Sequence, residues 1–235
     1  MRTLAWLVVG LVGCGADSGH GGTTHGPLAS IVHEAPGAVR LHAVRHRLEL
    51  ADLPVSAWVG LPARGTLELD AALRIPVVNG QRRYDQARGT LRVRCVDHCQ
   101  LGDDHARLPF PGGDAFGGDV AFSHLDLDGL DVELTVADGH ARVTRWGLRS
   151  FDVELHVDLD ATLAATLGAS TVNGCVRFGP TDALAKRDPR LHSLLSLISP
   201  TRGPDQLSHV AITGTLAATR RVPRVCGDDG PAPTP

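Results

Sequence analysis

The chain has 235 residues, of which 43% are hydrophobic and only 4% aromatic, and its 23 basic and 26 acidic residues give a net charge of −3. With the two signs interspersed, this balance argues against nucleic acid as a partner. The length allows one sizeable domain, and the shortage of aromatic rings predicts a core of Leu, Val and Ala.

The first 13 residues have the layout of a secretory signal peptide. Arg2 supplies a positive charge, and residues 4–12 form an apolar run too short to span a membrane. The run leads into Leu11, Val12, Gly13 and Cys14, which resemble the bacterial lipobox. That resemblance implies that Cys14 is the lipid attachment site, the alternative being ordinary cleavage further along. By analogy with lipoprotein sorting, the following glycine favours the outer membrane over the inner one.

Residues 14–37 are predicted to be a flexible tether, because they are rich in Gly, Ser, Thr, His and Pro and show no apolar period. His20, His25 and His33 in this part of the chain suggest a metal-binding tract, but solvated linker residues are the favoured interpretation. The tail at 227–235 is expected to be disordered.

The segment from Phe151 to Leu163 has an apolar residue at every odd position and a polar one at every even position. This period of two predicts a strand with one wet face, about 43 Å long. We expect the rest of the chain to supply long neighbours that cover its apolar row, unless that row lines a trough.

Similar alternation from Val39 to Leu216 predicts a single β-rich domain over residues 38–226. Asn79-Gly80 and Asp138-Gly139 are typical of tight turns, and the phrase Gly-Thr-Leu occurs at residues 65, 89 and 214. In that phrase we expect glycine to end a turn and leucine to begin a buried row. The predicted fold is mainly all-β: a long curved antiparallel sheet, in the form of a half-pipe or open barrel.

One short helical insert is predicted near residues 181–199. Asp188 and Pro189 resemble an N-cap and a first-turn proline, and Leu191, Leu194 and Leu195 form an apolar stripe after them. Thr181 is expected to cap a shorter helical turn just before. We expect the insert to cover one end of the sheet.

Four cysteines remain once Cys14 is assigned to lipid, and three pairings are possible. The favoured pairing joins Cys95 to Cys99, as a small loop at a strand end, and Cys175 to Cys226. Zinc bound by Cys95, Cys99 and nearby histidines is the alternative, but the C-x₃-C spacing and an oxidising compartment favour disulfides. Four aspartates could suggest a calcium site, but solvated loop residues are the favoured interpretation: Asp103, Asp104, Asp114 and Asp119.

Motifs of catalysis are missing from the sequence. It contains no G-x-S-x-G, no H-E-x-x-H and no P-loop. The acidic positions of the long strand are predicted to form a solvated face rather than a catalytic pair: Asp152, Glu154, Asp158 and Asp160, with His156 among them. We therefore expect a protein that is not an enzyme and has no cofactor or metal.

The C-terminal part of the chain resembles type II secretion system protein N. The similarity lies in residues 174–184, which contain a cysteine-bearing strand, in residues 188–191, where a helix follows Asp-Pro, and in the closing Gly-Thr-Leu strand at 209–216. The family implies a curved antiparallel sheet similar to lipid-handling half-pipe proteins. Its members commonly begin with an inner-membrane helix, whereas this chain has a lipobox.

These features predict a non-catalytic component of the type II secretion machinery, anchored by lipid to the periplasmic face of a bacterial membrane. Its sheet is expected to contact other secretion-system or envelope proteins. The alternative is a periplasmic carrier whose apolar trough holds a lipid or acyl chain.

Overall fold

The computed structural model describes residues 30–53, 61–103, 105–108, 120–121, 123–148, 150–197 and 201–226. Within these ranges the helices are α1 (Asp182–Arg187) and α2 (Pro189–Leu197). The strands are β1 (Val32–Ala35), β2 (Ala38–Glu49), β3 (Ala63–Val78), β4 (Gln81–Arg82), β5 (Arg88–Leu101), β6 (Arg107–Leu108), β7 (Val120–Ala121), β8 (Leu125–Asp126), β9 (Asp131–Ala137), β10 (His140–Gly147), β11 (Val153–Thr162), β12 (Thr171–Pro180), β13 (Ser208–Thr215) and β14 (Ala218–Pro223).

The strands form one open antiparallel sheet whose order follows the chain: β1, β2, β3, β5, β9, β10, β11, β12, β13 and β14. The short strands β4 and β8 pair with β3 and β5, which brings the sheet to 12 strands, and β6 pairs with β7 separately. β1 and β14 are its two edges. The predicted fold class, a long and open antiparallel sheet, is confirmed.

Two-residue turns join neighbouring strands where the sequence predicts them. Asn79 and Gly80 link β3 to β4, Asp138 and Gly139 link β9 to β10, and the φ angles of all four lie between 51° and 76°. Positive φ at both central positions defines a type I′ turn, for which Asn-Gly and Asp-Gly are the preferred sequences. Both turn predictions are confirmed.

Alternation along the strands gives the sheet one apolar and one charged side. The register joins Leu41 of β2 to Leu73 of β3, and Leu69 of β3 through Val93 of β5 to Val132 of β9. Residues that stand directly opposite point to the same side of a sheet. We call the side with these residues the apolar face. The opposite side, which carries Arg40 and Arg74, is the charged face.

The main core lies on the apolar face of β2, β3 and β5. β3 is the longest strand, with 16 residues, and Leu67 and Leu69 of its apolar row are only 2% and 1% exposed. Burying a leucine side chain contributes about 1.5–3 kcal/mol. The packing of these three strands is therefore the chief apolar contribution to the fold.

The strand predicted to organise the molecule is present as β11, but it is not the centre of this core. In its apolar row only Val157 is buried, and Phe151, just before the strand, is 75% exposed. Alternation shows which side of a strand is apolar, whereas burial depends on what packs over that side. The prediction was right about the strand and wrong about its place in the core.

The helices begin where the capping residues predict. The Thr181 hydroxyl accepts the Leu184 N–H at 3.2 Å at the start of α1. Before α2, Asp188 Oδ1 accepts the N–H groups of Arg190 and Leu191 at 3.1 and 3.0 Å. Each carboxylate or hydroxyl satisfies a backbone donor that has no partner inside the helix.

The helical pair covers one end of the sheet, as predicted. Leu184 and Leu191 are 0% and 1% exposed and pack in one cluster with Leu61, which precedes β3, and Val153, which begins β11. β3 and β11 are four places apart in the sheet order. Because one pair of helices contacts both, the sheet curls toward its apolar face.

The connection between β3 and β5 crosses the opposite end of the sheet. The Tyr84 N–H donates to the Ala165 carbonyl, beyond β11, at 3.2 Å. The Tyr84 ring packs against the main core. The curled sheet is thus bridged at both ends.

The Gly-Thr-Leu copies have a shared geometry that differs from the prediction. Gly65, Gly89 and Gly214 lie inside β3, β5 and β13, with φ of 106°, 141° and 105°, rather than at the ends of turns. These φ values favour glycine over any residue with a side chain. The three leucines that follow are buried, as predicted: Leu67, Leu91 and Leu216.

The folded part begins earlier than predicted. β1 pairs with β2 inside the 14–37 segment expected to be a tether, and a strand of four residues is too short for a clear alternation signal. The predicted signal peptide 1–13, Cys14, the tether up to residue 29 and the tail 227–235 lie outside the described residues.

Candidate interaction surface

The pairing between β10 and β11 is short, and this joint interrupts the sheet. Its register covers only His140–Arg142 against Asp160–Thr162, whereas β11 and β12 pair along the whole of β11. A register shift between Val143 and Arg145 marks a bulge in β10 just beyond the joint. There the Trp146 indole N–H donates to the Leu155 carbonyl at 2.7 Å. A side chain therefore connects the two strands where their backbones no longer pair.

Apolar side chains beside this joint remain partly exposed. They pack around the small core formed by Val157, Val172, Val176, Ile212 and Leu216. We call five of them the open apolar patch: Trp146, Leu155, Leu159, Ala161 and Phe178. Contiguous exposed apolar surface is typical of a site that binds protein or lipid.

Phe151 is a large exposed aromatic residue four positions before Leu155 of the patch. It lies two residues before β11, at the end of the strand nearer Leu155, and 75% of its surface is exposed. Aromatic rings are enriched at the centres of protein interfaces. The patch and Phe151 together are the strongest candidate interaction surface among the described residues.

On the charged face, most arginines of the middle strands hold carboxylates. Arg92 binds both carboxylate oxygens of Asp131 at 2.7 and 2.6 Å, and Arg142 binds Asp160 at 2.7 Å. Arg94 contacts both Glu68 and Asp70. These cross-strand pairs stabilise the register of the sheet.

The pKa values of two of these carboxyls are lowered. The hydrogen bond from Arg92 lowers the pKa of Asp131. Burial raises the pKa of Asp160, but hydrogen bonds from Arg142 and His140 outweigh it, so the net shift is downward. Both groups are held ionised by their partners, which suits an ion-pair ladder rather than a general acid.

The predicted acidic row of β11 has separate surroundings at each position. Glu154 lies 2.8 Å from His156, Asp160 belongs to the ladder, and Asp158 is exposed. Asp152 differs from the prediction of a solvated face, because it is only 2% exposed. The burial of Asp152 could not be predicted from the sequence, because Asp152 continues the alternating row of acidic residues that Glu154, Asp158 and Asp160 form.

Asp152 fastens the helical pair to the sheet. Its Oδ2 accepts the Asp126 N–H at 3.1 Å and Arg187 Nη2 at 2.7 Å. Arg187, in α1, also donates to the carbonyl and to Nε2 of His124, at 2.7 and 2.6 Å. Ser123 beside it donates to Asp188 Oδ2 at 2.8 Å. Asp188 therefore links the segment before β8 to the start of α2, which it also caps.

We expect Asp152→Ala to lower the free energy of unfolding by about 2–3 kcal/mol, because it leaves a partly buried guanidinium and a backbone N–H without their acceptor. Urea denaturation followed by circular dichroism measures the change. Asp158→Ala, in the strand β11 that follows Asp152 but exposed, is the control and should change stability by less than about 0.5 kcal/mol. Equal effects of the two substitutions would contradict the structural role of Asp152.

A second buried polar cluster surrounds His209 of β13, which is 3% exposed. Its Nε2 lies 2.8 Å from Asp205 Oδ1, and its Nδ1 accepts the Cys226 N–H at 2.9 Å. A side chain at Gly203 would collide with the ring, since a Cβ there would lie 2.2 Å from His209 Nε2. In the sequence, this cluster is indicated only by an aspartate four residues before a histidine in an apolar strand, and by a glycine close to both.

Both disulfides favoured by the sequence are present, Cys95 with Cys99 and Cys175 with Cys226. The sulfurs of Cys175 and Cys226 and a ring nitrogen of His209 lie within 4.8 Å of one another, which is close enough for a metal site. However, both sulfurs are in a disulfide and both ring nitrogens already have hydrogen-bond partners. In this arrangement the disulfide fastens the segment after β14 to the middle of β12.

Cys95 and Cys99 lie inside β5 rather than at its end. Their disulfide brackets a bulge opposite Gly65, where the register between β3 and β5 shifts. Asp103 lies 3.5 Å from Arg64 and accepts the His105 N–H. Asp104, Asp114 and Asp119, considered above as calcium ligands, lie outside the described residues.

Asp205 makes stability depend on acid pH. Desolvation raises its pKa, but hydrogen bonds from His209 and Arg177 outweigh that effect and lower the pKa to about 2. Because the folded-state pKa lies below the unfolded value of about 3.9, the contribution is present above pH 4 and is lost as the pH falls toward 2. We expect Asp205→Asn to reduce stability at pH 7 and to flatten the pH profile between 4 and 2. If the urea midpoints of wild type and Asp205→Asn fell by the same amount between pH 4 and pH 2, this assignment would be contradicted.

The described residues contain no helix that is long and apolar enough to cross a membrane. Comparison of the chain with protein-family models, with curated proteins and with solved structures gave no match.

Proposed function

We propose that this protein is a non-catalytic envelope component of the type II secretion machinery, anchored by lipid at Cys14, which offers its sheet as an interaction surface to other envelope proteins. The observation that carries the proposal is the open apolar patch with Phe151 beside it. The polar clusters described above are engaged in structural contacts, whereas among the described residues the patch remains partly exposed and Phe151 is 75% exposed.

Two sequence features support the secretion-system assignment and the anchor. The segments that resemble type II secretion system protein N form consecutive elements of the fold: β12, the helical pair and β13. The lipobox-like residues before Cys14 support lipid attachment on the periplasmic face of the membrane. Mass spectrometry of the purified protein tests the anchor directly. We expect the chain to begin at Cys14 and that residue to carry acyl chains.

Site-specific photocross-linking in the native membrane tests the surface. A photoreactive phenylalanine analogue at position 151 should cross-link a secretion-system or envelope protein. The same analogue at Val44 of β2, which is 71% exposed and so closely matches Phe151, is the matched control. The proposal fails if position 151 yields no protein product, or if both positions yield the same products.

The alternative function, an acyl-chain carrier, is favoured by one observation. The β11 part of the patch is purely aliphatic, with Leu155, Leu159 and Ala161 on one face. Such a row suits a lipid tail, because burying each methylene contributes about 0.8 kcal/mol. Lipid attached to the probe at position 151, without any protein, would support the carrier over the secretion component.

A further inference from the structure

A row of basic side chains crosses the charged face near the β3–β4 turn. Arg40 of β2 stands opposite Arg74 of β3, and Arg74 stands opposite Arg88 of β5. His33 of the edge strand β1 stands opposite Arg40. Directly opposite side chains have Cβ atoms about 4.5–5.5 Å apart, and like charges at that distance destabilise a sheet. We call Arg40, Arg74 and Arg88 the arginine row.

The arginine row lacks the carboxylates that balance the middle of the charged face. Within the part of the chain that the structure describes, the guanidinium groups of Arg40 and Arg74 have neither an ion-pair nor a hydrogen-bond partner. Arg88 meets Asp138 at 3.5 Å, and the two side chains are 75% and 84% exposed. By contrast, Arg92 and its neighbours further along the same strands hold carboxylates at contact distance. Arg40 and Arg74 thus present positive charge without a carboxylate partner among the described residues, an arrangement that suits an external anion.

A depression of about 420 Å³ adjoins the row and is lined by Arg74, Pro76, Asp85, Gln86, Arg88 and Asp138. Arg74 and Arg88 supply planar guanidinium groups, which bind phosphate oxygens through two donors at once. Gln86 adds an amide donor. Of the two carboxylates, Asp85 is bound by Arg83 at 2.6 Å, and Asp138 is the one beside Arg88. The donors suit a phosphate group better than a cation.

We infer that the arginine row binds the phosphate groups of anionic membrane lipids. The inference rests on the lipid anchor of the proposed function. The described chain begins at residue 30 and enters the sheet through β1, the edge strand that carries His33. The proposed lipid attachment site, Cys14, lies 18 positions before Val32, the first residue of β1, so the anchor joins the chain close in sequence to the edge that adjoins the arginine row.

Lipid counting on the full anchored chain tests this inference. The protein is purified in neutral detergent, mixed with phosphatidylglycerol or phosphatidylcholine, and the bound lipids are counted by native mass spectrometry. One variant carries Arg40→Gln, Arg74→Gln and Arg88→Gln. The control carries the same charge change at three other exposed arginines for which the structure shows no ion pair: Arg190→Gln, Arg202→Gln and Arg220→Gln.

Wild type and control should retain phosphatidylglycerol, and the row variant should bind it on the order of 100-fold more weakly, since each basic residue near an anionic surface contributes roughly fivefold. Phosphatidylcholine binding should be the same in all three. Raising ammonium acetate tenfold should weaken phosphatidylglycerol binding to wild type, a measurement that needs no variant.

Equal phosphatidylglycerol binding by wild type and row variant overturns the inference. Displacement of the lipid by equimolar inorganic phosphate also overturns it, since the site then takes free phosphate. Row-dependent binding of a polyglutamate peptide without lipid preference assigns the row to an acidic protein instead. Cross-linking at position 151 is a separate readout, so failure of the proposed surface and failure of this inference are distinguishable.

Discussion

Replacing Gly89 by alanine is expected to lower the free energy of unfolding by about 4 kcal/mol or more. Gly89 has a φ of 141°, and a Cβ at this position would lie 1.9 Å from the Ala72 carbonyl oxygen of the neighbouring strand. The φ alone costs about 1–3 kcal/mol for a residue with a side chain, and the overlap forces β3 and β5 apart within the main core. Urea denaturation of the folded protein measures the loss.

Gly80→Ala separates the two contributions. Gly80 also has positive φ, 75°, but nothing lies within 4 Å of its Cβ position. We expect a loss of about 1 kcal/mol there, from backbone conformation alone. If both variants lost the same amount, the close approach of β3 to β5 would carry no energetic weight.

Removing the Cys175–Cys226 disulfide is expected to lower stability by about 4 kcal/mol. The bond joins residues 51 positions apart, and on the chain-entropy account a loop of that length restricts the unfolded state by about this amount. The double substitution to alanine also frees the segment whose backbone N–H binds His209. Denaturation midpoints of the oxidised wild type and the variant give the difference.

Removing Cys95 and Cys99 in the same way provides the comparison. Their separation is only 4 positions, for which the same account gives about 2 kcal/mol. If removal of the Cys95–Cys99 disulfide cost more stability than removal of Cys175–Cys226, loop length would not be the main source of disulfide stabilisation in this protein.

Much of this fold was predictable, because its signals are local. Period-two alternation depends on each strand alone, and the turns at Asn79-Gly80 and Asp138-Gly139 need only two residues with positive φ. The cap at Asp188 likewise acts within one helical turn. These features fix strands, turns and helix starts without any knowledge of distant contacts.

What the sequence did not reveal depends on the curl of the sheet. β11 has the cleanest alternation in the chain, yet β3 holds the core, because burial is decided by the elements that pack over a face. Asp152 continues an exposed acidic row in sequence but is buried where α1 contacts the sheet. The role of His209 requires β13, the turn at Gly203 and the segment at Cys226 to meet in space. The arginine row emerged only from the register of β2, β3 and β5.

The chain-order arrangement of the strands has a consequence for how the polypeptide acquires its shape. Each long strand pairs with the long strand before it in the chain, although residues 102–130 separate β5 from β9 and residues 181–207 separate β12 from β13. The pairs joined by tight turns are hairpins, which close in about 1–10 μs with little loop entropy to overcome. A polypeptide delivered N-terminus first can thus assemble stepwise, beginning with β1 and β2 and the buried rows of β3. The bond between Cys175 and Cys226 must wait until β14 has been delivered, because Cys226 follows that strand, so its oxidation is a late step in the formation of the molecule.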